Sequence, residues 1–133
     1  MGGLLVFDER KETMNFIEAR AGQAYFNVNS DRYKILDYDL DEISDDYFVV
    51  YDYDRNDIVI VKVVQLDRPI AFSTEGNISL NEFEHVLDAC LDQLEHVNTF
   101  FRFDIVHVYL KSNDQALIRH HVDVLPYKDE RGE

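Results

Sequence analysis

Two strand-like segments, YFVVY at residues 47–51 and IVIVKVV at residues 58–64, decide the fold of this chain. Both are rich in β-branched and aromatic side chains, a composition that favours central strands over edge strands. The polar residues DRND at 54–57 lie between them and are typical of a hairpin connection. We therefore expect an antiparallel hairpin near the centre of a β-sheet.

Lys62 is the unusual residue of this hairpin. Side chains alternate faces along a strand, so Lys62 shares a face with the apolar residues Ile58, Ile60 and Val64. A buried ammonium without a partner is costly, so such a group is usually paired, neutralised or extended towards water. We expect an ion pair between Lys62 and either Asp46 or Asp52.

Length and composition predict one packed domain. The chain has 133 residues, 46% of them hydrophobic, with eight Tyr and nine Phe. A chain of this length buries roughly two thirds of its unfolded surface. It has no run of 18 apolar residues, so no membrane-spanning segment is expected. Its one cysteine, Cys90, cannot form an internal disulfide, which favours a cytoplasmic protein, and we expect Cys90 to be a small core residue.

The charge balance is strongly acidic. The net charge is −14, from 13 basic and 27 acidic residues. Phosphate contacts draw on Lys and Arg, so this balance disfavours nucleic-acid binding. Residues 69–101 contain six acids and no Lys or Arg. We expect a protein partner and no membrane association.

Helical periodicity predicts two helices. Apolar residues near helical spacing indicate the first over residues 14–29. Ser79 and Glu82 form a capping box that begins the second, and an apolar stripe continues it to about residue 98.

Further strands are predicted at residues 33–36, 103–110 and 116–124, with extra strand residues at 4–7 and a frayed polar tail at 127–133. The fold class is then α/β, a mixed β-sheet flanked by helices in the order α-β-β-β-α-β-β, with a core over about 14–125.

Several short strings occur in an order and spacing that is similar to one family. They are Ala24-Tyr25-Phe26, Tyr33-Lys34-Ile35-Leu36, Val59-Ile60-Val61, Arg102-Phe103-Asp104-Ile105-Val106 and Leu117-Ile118-Arg119-His120-His121. In these strings, from about residue 18 to 125, the chain resembles the YraN-like proteins. The resemblance implies a restriction-endonuclease-like (Holliday-junction-resolvase-like) core with a PD-(D/E)xK metal site. It further implies a three-stranded hairpin sheet flanked by helices.

In that family, carboxylates hold Mg²⁺ and a lysine positions or activates water. The resemblance maps the first metal-binding aspartate onto Asp46, with Asp45 beside it. It maps Glu-x-Lys onto Lys62-Val63-Val64, so a lysine stands at the glutamate position and a valine at the lysine position. Glu18 lies one residue from the family's N-terminal helix glutamate. The resemblance thus implies a degenerate site.

The remnant-site candidates are Asp46, Lys62, Asp45, Asp52 and Glu18. None is assigned as catalytic, and Asp46 is the one metal-ligand candidate. We expect no cofactor unless an active nuclease survives, in which case Mg²⁺ is expected.

The five histidines, at 85, 96, 107, 120 and 121, show no metal-ligand spacing, and adjacent His120 and His121 should point to opposite faces of a strand.

Three functions remain open from the sequence. The first is a catalytically inactive nuclease-like domain that acts as a binding or scaffolding module. The second is a divergent metal-dependent endonuclease acting on branched or single-stranded DNA. The third is an acidic DNA mimic or immunity-type inhibitor, suggested by alternating Tyr and Asp in residues 37–54.

Overall fold

The computed structural model describes residues 2–7, 17–38, 40, 46–69, 78–94 and 100–124. Eight elements lie in these ranges: β1 (Gly2–Val6), α1 (Ile17–Val28), β2 (Tyr33–Leu36), β3 (Tyr47–Asp52), β4 (Asp57–Gln65), α2 (Leu80–Gln93), β5 (Phe100–Ser112) and β6 (Gln115–His121).

The six strands form one mixed sheet in the order β1-β6-β5-β4-β3-β2. Strands β4 and β5 are parallel, and every other neighbouring pair is antiparallel. A parallel pair needs a long crossover, and the segment that contains α2 joins β4 to β5. The predicted α/β class with a mixed sheet is confirmed.

The predicted element order is wrong at its start, because β1 precedes α1 and pairs with β6. The observed order is β-α-β-β-β-α-β-β. A strand of five residues gives little periodic signal, and it is stabilised by residues distant in sequence, through its pairing with β6 and the burial of Leu5 in the core. Strand β5 also begins earlier than predicted, because Phe100 and Phe101 pair with Asp57 and Ile58 of β4.

The central hairpin forms as its sequence predicts. Residues 53–56 connect β3 to β4, and Asn56 closes the turn with a φ of 57°, a left-handed conformation that asparagine tolerates. The Asp52 carboxylate accepts the backbone N–H groups of Asp54 and Arg55 and so stabilises the turn.

The two faces of the sheet bury separate cores. On one face, Phe48, Val50, Val59 and Val61 pack with α1. On the other face, Tyr47, Val49, Ile58 and Ile60 pack with the second core, which includes Val86 and Cys90 of α2. The helices therefore lie on opposite faces of the sheet, and the core role predicted for Cys90 is confirmed by its full burial. Burial raises the pKa of its thiol to about 12.

Helix α1 approaches the sheet closely at Gly22. A Cβ atom built there would lie 2.9 Å from Cγ2 of Val63 on β4. Only glycine fits this contact without movement of the strand side chain. Residues 14–16 of the first predicted helix, residues 95–98 of the second and the predicted tail at 127–133 lie outside the described ranges.

Candidate functional site

Lys62 forms an ion pair with Glu82 of α2. Its Nζ lies 2.7 Å from Oε2 of Glu82, and the two side chains are 16% and 31% exposed. The hydroxyl of Tyr47, the cross-strand neighbour of Lys62, donates a hydrogen bond to the same Oε2. The Lys62 ammonium also lies 5.8 Å from the centre of the Tyr47 ring, within cation–π range. One carboxylate oxygen thus receives both donors.

The start of α2 places Glu82 over this end of the hairpin. Ser79 is the N-cap residue, and its Oγ accepts the backbone N–H of Glu82 at 3.1 Å. The predicted capping box is confirmed in this contact. Glu82 lies in the first turn of the helix, where unsatisfied N–H groups and the helix dipole stabilise a carboxylate. The cap therefore fixes the carboxylate that receives Lys62.

Partial burial disfavours charge on both members of the pair. It lowers the pKa of Lys62 and raises the pKa of Glu82. The negative charge of Asp46 raises the pKa of both groups. It therefore opposes the lowering of the Lys62 pKa and adds to the raising of the Glu82 pKa. The Asp46 backbone carbonyl accepts the Val63 N–H at 2.8 Å, which holds Asp46 at the start of β3 beside the end of β4.

The structure brings together only part of the predicted site. Lys62 lies on the same face of β4 as Ile60, as predicted, and this face packs with α2. Asp46 lies close enough to influence the charge of Lys62. Asp52 does not lie near Lys62. It pairs with Asp57 at the other end of the hairpin, about 17 Å along the strands, and points to the α1 face. The expected Lys62–Asp52 pair is therefore wrong.

Glu18 contributes nothing to this cluster. Glu18 belongs to α1, which packs on the opposite face of the sheet from Lys62. Asp45 lies outside the described residues. Glu82, which sequence reasoning singled out only as a capping residue, forms an ion pair with Lys62. Its capping position was the available signal, since a first-turn carboxylate on a helix that packs over the hairpin can reach a strand lysine.

The cluster does not fit the Mg²⁺ that the family resemblance implies. Mg²⁺ needs carboxylate oxygens with room for several waters. Here the ammonium of Lys62 and the hydroxyl of Tyr47 both bind Oε2 of Glu82, and Val64 offers no polar atom. Within the described ranges, no group of three or more His, Cys, Asp or Glu side chains is arranged for a metal ion.

A second charged cluster lies on the α1 face, and sequence reasoning missed it. Arg102 of β5 binds Asp104 through two parallel hydrogen bonds of 3.0 and 3.2 Å. Its Nη1 also lies 2.7 Å from Asp52 and 3.1 Å from Asp57. Asp52 receives Arg32 as well. We call the five residues Asp52, Asp57, Arg102, Asp104 and Arg32 the arginine network.

The arginine network is deeply buried. The side chains of Asp52 and Asp104 are fully buried, and that of Arg102 is 4% exposed. Burial raises the pKa of Asp52, but hydrogen bonds from Arg32 and Arg102 outweigh it and lower the pKa to about 2. Bonds from His120 and Arg102 likewise lower the pKa of Asp104 against its burial. Asp52 and Asp104 are therefore ionised at neutral pH. The opposite charges at residues 102 and 104 of one apolar strand were the signal of the network in the sequence.

His120 joins the arginine network to α1. One ring nitrogen lies 2.7 Å from Asp104 Oδ2, and the other lies 3.1 Å from the Tyr25 hydroxyl. The neighbouring Tyr33 hydroxyl is buried and, of the buried side-chain polar atoms in the described residues, it is the one without a hydrogen-bond partner. Burial raises the pKa of Tyr25 to about 12 and also raises the pKa of Tyr33, so both tyrosines remain neutral.

His121 points to the opposite face from His120, as predicted. Its Nε2 lies 3.1 Å from Nδ1 of His107, which is buried. Burial and the neighbouring His121 lower the pKa of His107 to about 4. His85 is exposed on α2, and His96 lies outside the described residues.

Comparison with known proteins gives no family: no family model, no curated protein and no solved structure matches this chain. In the part of the chain that the structure describes, neither helix has the length and apolar content needed to cross a bilayer.

Proposed function

We propose that this chain is a catalytically inactive domain of the restriction-endonuclease-like fold that serves as a binding or scaffolding module for a protein partner. The order of elements supports the fold. Strands β2, β3 and β4 form an antiparallel three-stranded sheet, and α2 then leads to β5, parallel to β4. Helices lie on both faces of this sheet. The family resemblance implies this hairpin sheet with flanking helices.

The observation that carries the proposal is the ion pair of Lys62 with Glu82. In the implied family, the position of Lys62 holds a glutamate that binds the metal. Here the ammonium lies 2.7 Å from a carboxylate and under the influence of Asp46. The positive charge of Lys62 repels a divalent cation, and its ammonium binds a carboxylate oxygen that such a cation would otherwise bind. Lys62 and Glu82 therefore form a contact that stabilises the fold at the position where an active relative would bind Mg²⁺.

The charge of the chain supports a protein partner over DNA. A net charge of −14 repels the phosphate backbone, and two of the basic residues, Arg32 and Arg102, are bound to carboxylates of the arginine network. The same charge attracts basic protein surfaces and raises their association rates.

One observation favours the alternative, a divergent metal-dependent endonuclease. Asp46 and Glu82 both act on the same ammonium, so movement of Lys62 would leave two carboxylates for a cation. The DNA-mimic alternative needs a row of exposed acids, and Asp52 does not belong to such a row because it is fully buried.

A cleavage assay separates these functions. The full chain is incubated with branched and single-stranded DNA in Mg²⁺ or Mn²⁺, with Asp46→Asn as the matched variant. We expect no cleavage above the buffer control by either protein. Metal-dependent cleavage by the wild type that Asp46→Asn abolishes would overturn the proposal. Equal cleavage by both proteins identifies a contaminating nuclease and leads to repurification before the comparison is repeated.

A further inference from the structure

We propose that the outer edge of β1, with the cleft between β1 and α1, is the docking site for an extended apolar segment of a protein partner that carries basic residues at its ends. The inference rests on the proposed function, since it names the surface and the partner chemistry of the binding module.

The two edges of the sheet differ in chemistry. Strand β1 ends the sheet on one side, and no strand in the described ranges pairs with its outer edge. Its sequence, GGLLV, contains no charged residue. Strand β2, at the other edge, carries the exposed Lys34, a common protection against edge pairing. The β1 edge has no such charge within the strand, so its backbone can accept a further strand.

A cleft lies between β1 and the end of α1. It has a volume of about 240 Å³. The strands contribute Gly3, Leu4, Leu5 and Ile118 to its walls, and α1 and the following turn contribute Tyr25, Val28 and Asn29. None of these residues is charged. The volume falls below the roughly 300–1,000 Å³ of small-molecule sites, so one or two apolar side chains suit it better than a cofactor.

Both faces of β1 offer apolar contacts to an added strand. Leu4 and Val6 alternate with the buried Leu5 along the strand and are 56% and 63% exposed. Val28, at the rim of the cleft, is 71% exposed. A strand beside β1 would place alternate side chains in the cleft and the others against Leu4 and Val6. Gly3 has open space around its missing Cβ, so backbone can approach there.

The net charge of the chain favours a basic partner segment over a second copy of the chain as the occupant of the cleft. Two copies of a chain with a net charge of −14 repel each other, which opposes pairing of β1 with a second β1. A segment with lysine or arginine at its ends gains long-range attraction from the same charge. The apolar centre of the partner segment suits the uncharged cleft, and its basic ends suit the negative net charge of the protein.

The probe is a synthetic ten-residue peptide with alternating valine and threonine at its centre and two lysines at each end. Its binding to the full chain is measured by fluorescence anisotropy. Two matched peptides share this centre: one carries N-methyl groups on alternate backbone amides, and the other has glutamates at its ends. We expect binding of the first peptide to be at least tenfold tighter than that of either control. The preference over the glutamate peptide should shrink as salt screens the charges.

Protein variants locate the site. Leu4→Lys and Val28→Lys should each weaken binding of the lysine peptide at least fivefold. Leu91→Lys adds the same charge at an exposed apolar residue of α2 and should change binding less than twofold. Equal effects of all three variants would show that charge alone drives binding and would overturn the proposed location.

Other outcomes also contradict the proposal. Absence of binding by the lysine peptide, or equal binding by its N-methylated form, excludes strand addition even if the variants fail to fold. A wild-type dimer in sedimentation that Leu4→Lys dissociates would assign the edge to a second copy. The DNA cleavage assay tests for nuclease activity at the Lys62 site and does not depend on peptide binding at β1. Failure of the proposed function and failure of this docking site are therefore distinguishable.

Discussion

Lys62 Nζ lies 2.7 Å from Glu82 Oε2, so an ion pair joins the end of β4 to the first turn of α2. The two residues are 20 positions apart, and one lies on the central hairpin while the other lies on the helix that covers it. This contact ties the hairpin to the crossover that makes β4 and β5 parallel. It therefore links the stability of the fold to the chemistry of the candidate site.

Loss of the ammonium should destabilise the fold. Lys62→Met leaves the partly buried Glu82 carboxylate with the Tyr47 hydroxyl and its helix cap but without its cation. We expect the free energy of unfolding to fall by roughly 1–3 kcal/mol, the usual cost of an unsatisfied buried polar group. Urea denaturation measures this change. Lys34→Met, at an exposed residue of β2, should stay within about 0.5 kcal/mol. An unchanged midpoint for Lys62→Met would contradict the structural role of the pair.

The arginine network should be more sensitive than the Lys62 pair, because it is more deeply buried. Asp104→Asn removes the charge that Arg102 and His120 share. Breaking one partner out of a buried ion pair costs roughly 3–5 kcal/mol. Asp88→Asn, an exposed position on α2, is the control and should cost less than about 0.5 kcal/mol. Equal denaturation midpoints for the two variants would mean that the network adds no stability.

Two buried tyrosines provide a matched comparison. Tyr25→Phe removes the hydrogen bond to His120 and should cost about 0.5–1.5 kcal/mol. Tyr33→Phe removes a buried hydroxyl that has no partner, so its thermal midpoint should stay the same or rise. A loss of stability in Tyr33→Phe as large as that in Tyr25→Phe would reveal a hydrogen bond, such as one to a buried water.

Stability should fall in two steps as the pH is lowered. The lowered pKa of His107, about 4, means that the unfolded state binds this proton first as the pH falls below 6.5. Stability is therefore complete above pH 6.5 and falls towards pH 4, by up to about 1.4 kcal/mol per pH unit for one proton. Asp52, with its pKa lowered to about 2, adds a second loss from about pH 4 down to pH 2.

Chemical denaturation across this pH range tests both steps. Replacement of His107 and His121 together by Gln should flatten the first step and leave the second. His85→Gln, at an exposed site, should keep both steps. A first step that persists after the double replacement would assign it to other groups.

Local sequence patterns predicted the strands, the capping box and the face of Lys62, because these depend on near neighbours and on the period of two along a strand. The partner of Lys62 could not be predicted in the same way, since it depends on how α2 packs across the hairpin. Asp52 was expected near Lys62, but its backbone pairs at the other end of the hairpin. Its charge is balanced by Arg32 and Arg102, the latter from a strand 50 residues away. Such a network has no local periodicity to reveal it.

The family resemblance implies that Lys62 stands at a metal-ligand position, and in the structure Lys62 forms an ion pair with Glu82. We propose that the Lys62 ammonium takes the place that a divalent cation would occupy beside Glu82 and Asp46. Lys62→Ala vacates that place and leaves both carboxylates, whereas Lys62→Ala combined with Glu82→Ala removes one of them.

The most direct test is calorimetric titration of Mn²⁺ into the wild type and these two variants. We predict no saturable binding by the wild type, saturable binding by Lys62→Ala, and loss of that binding in the double variant. Stoichiometric Mn²⁺ binding by the wild type, unaffected by Lys62→Ala, would contradict this proposal.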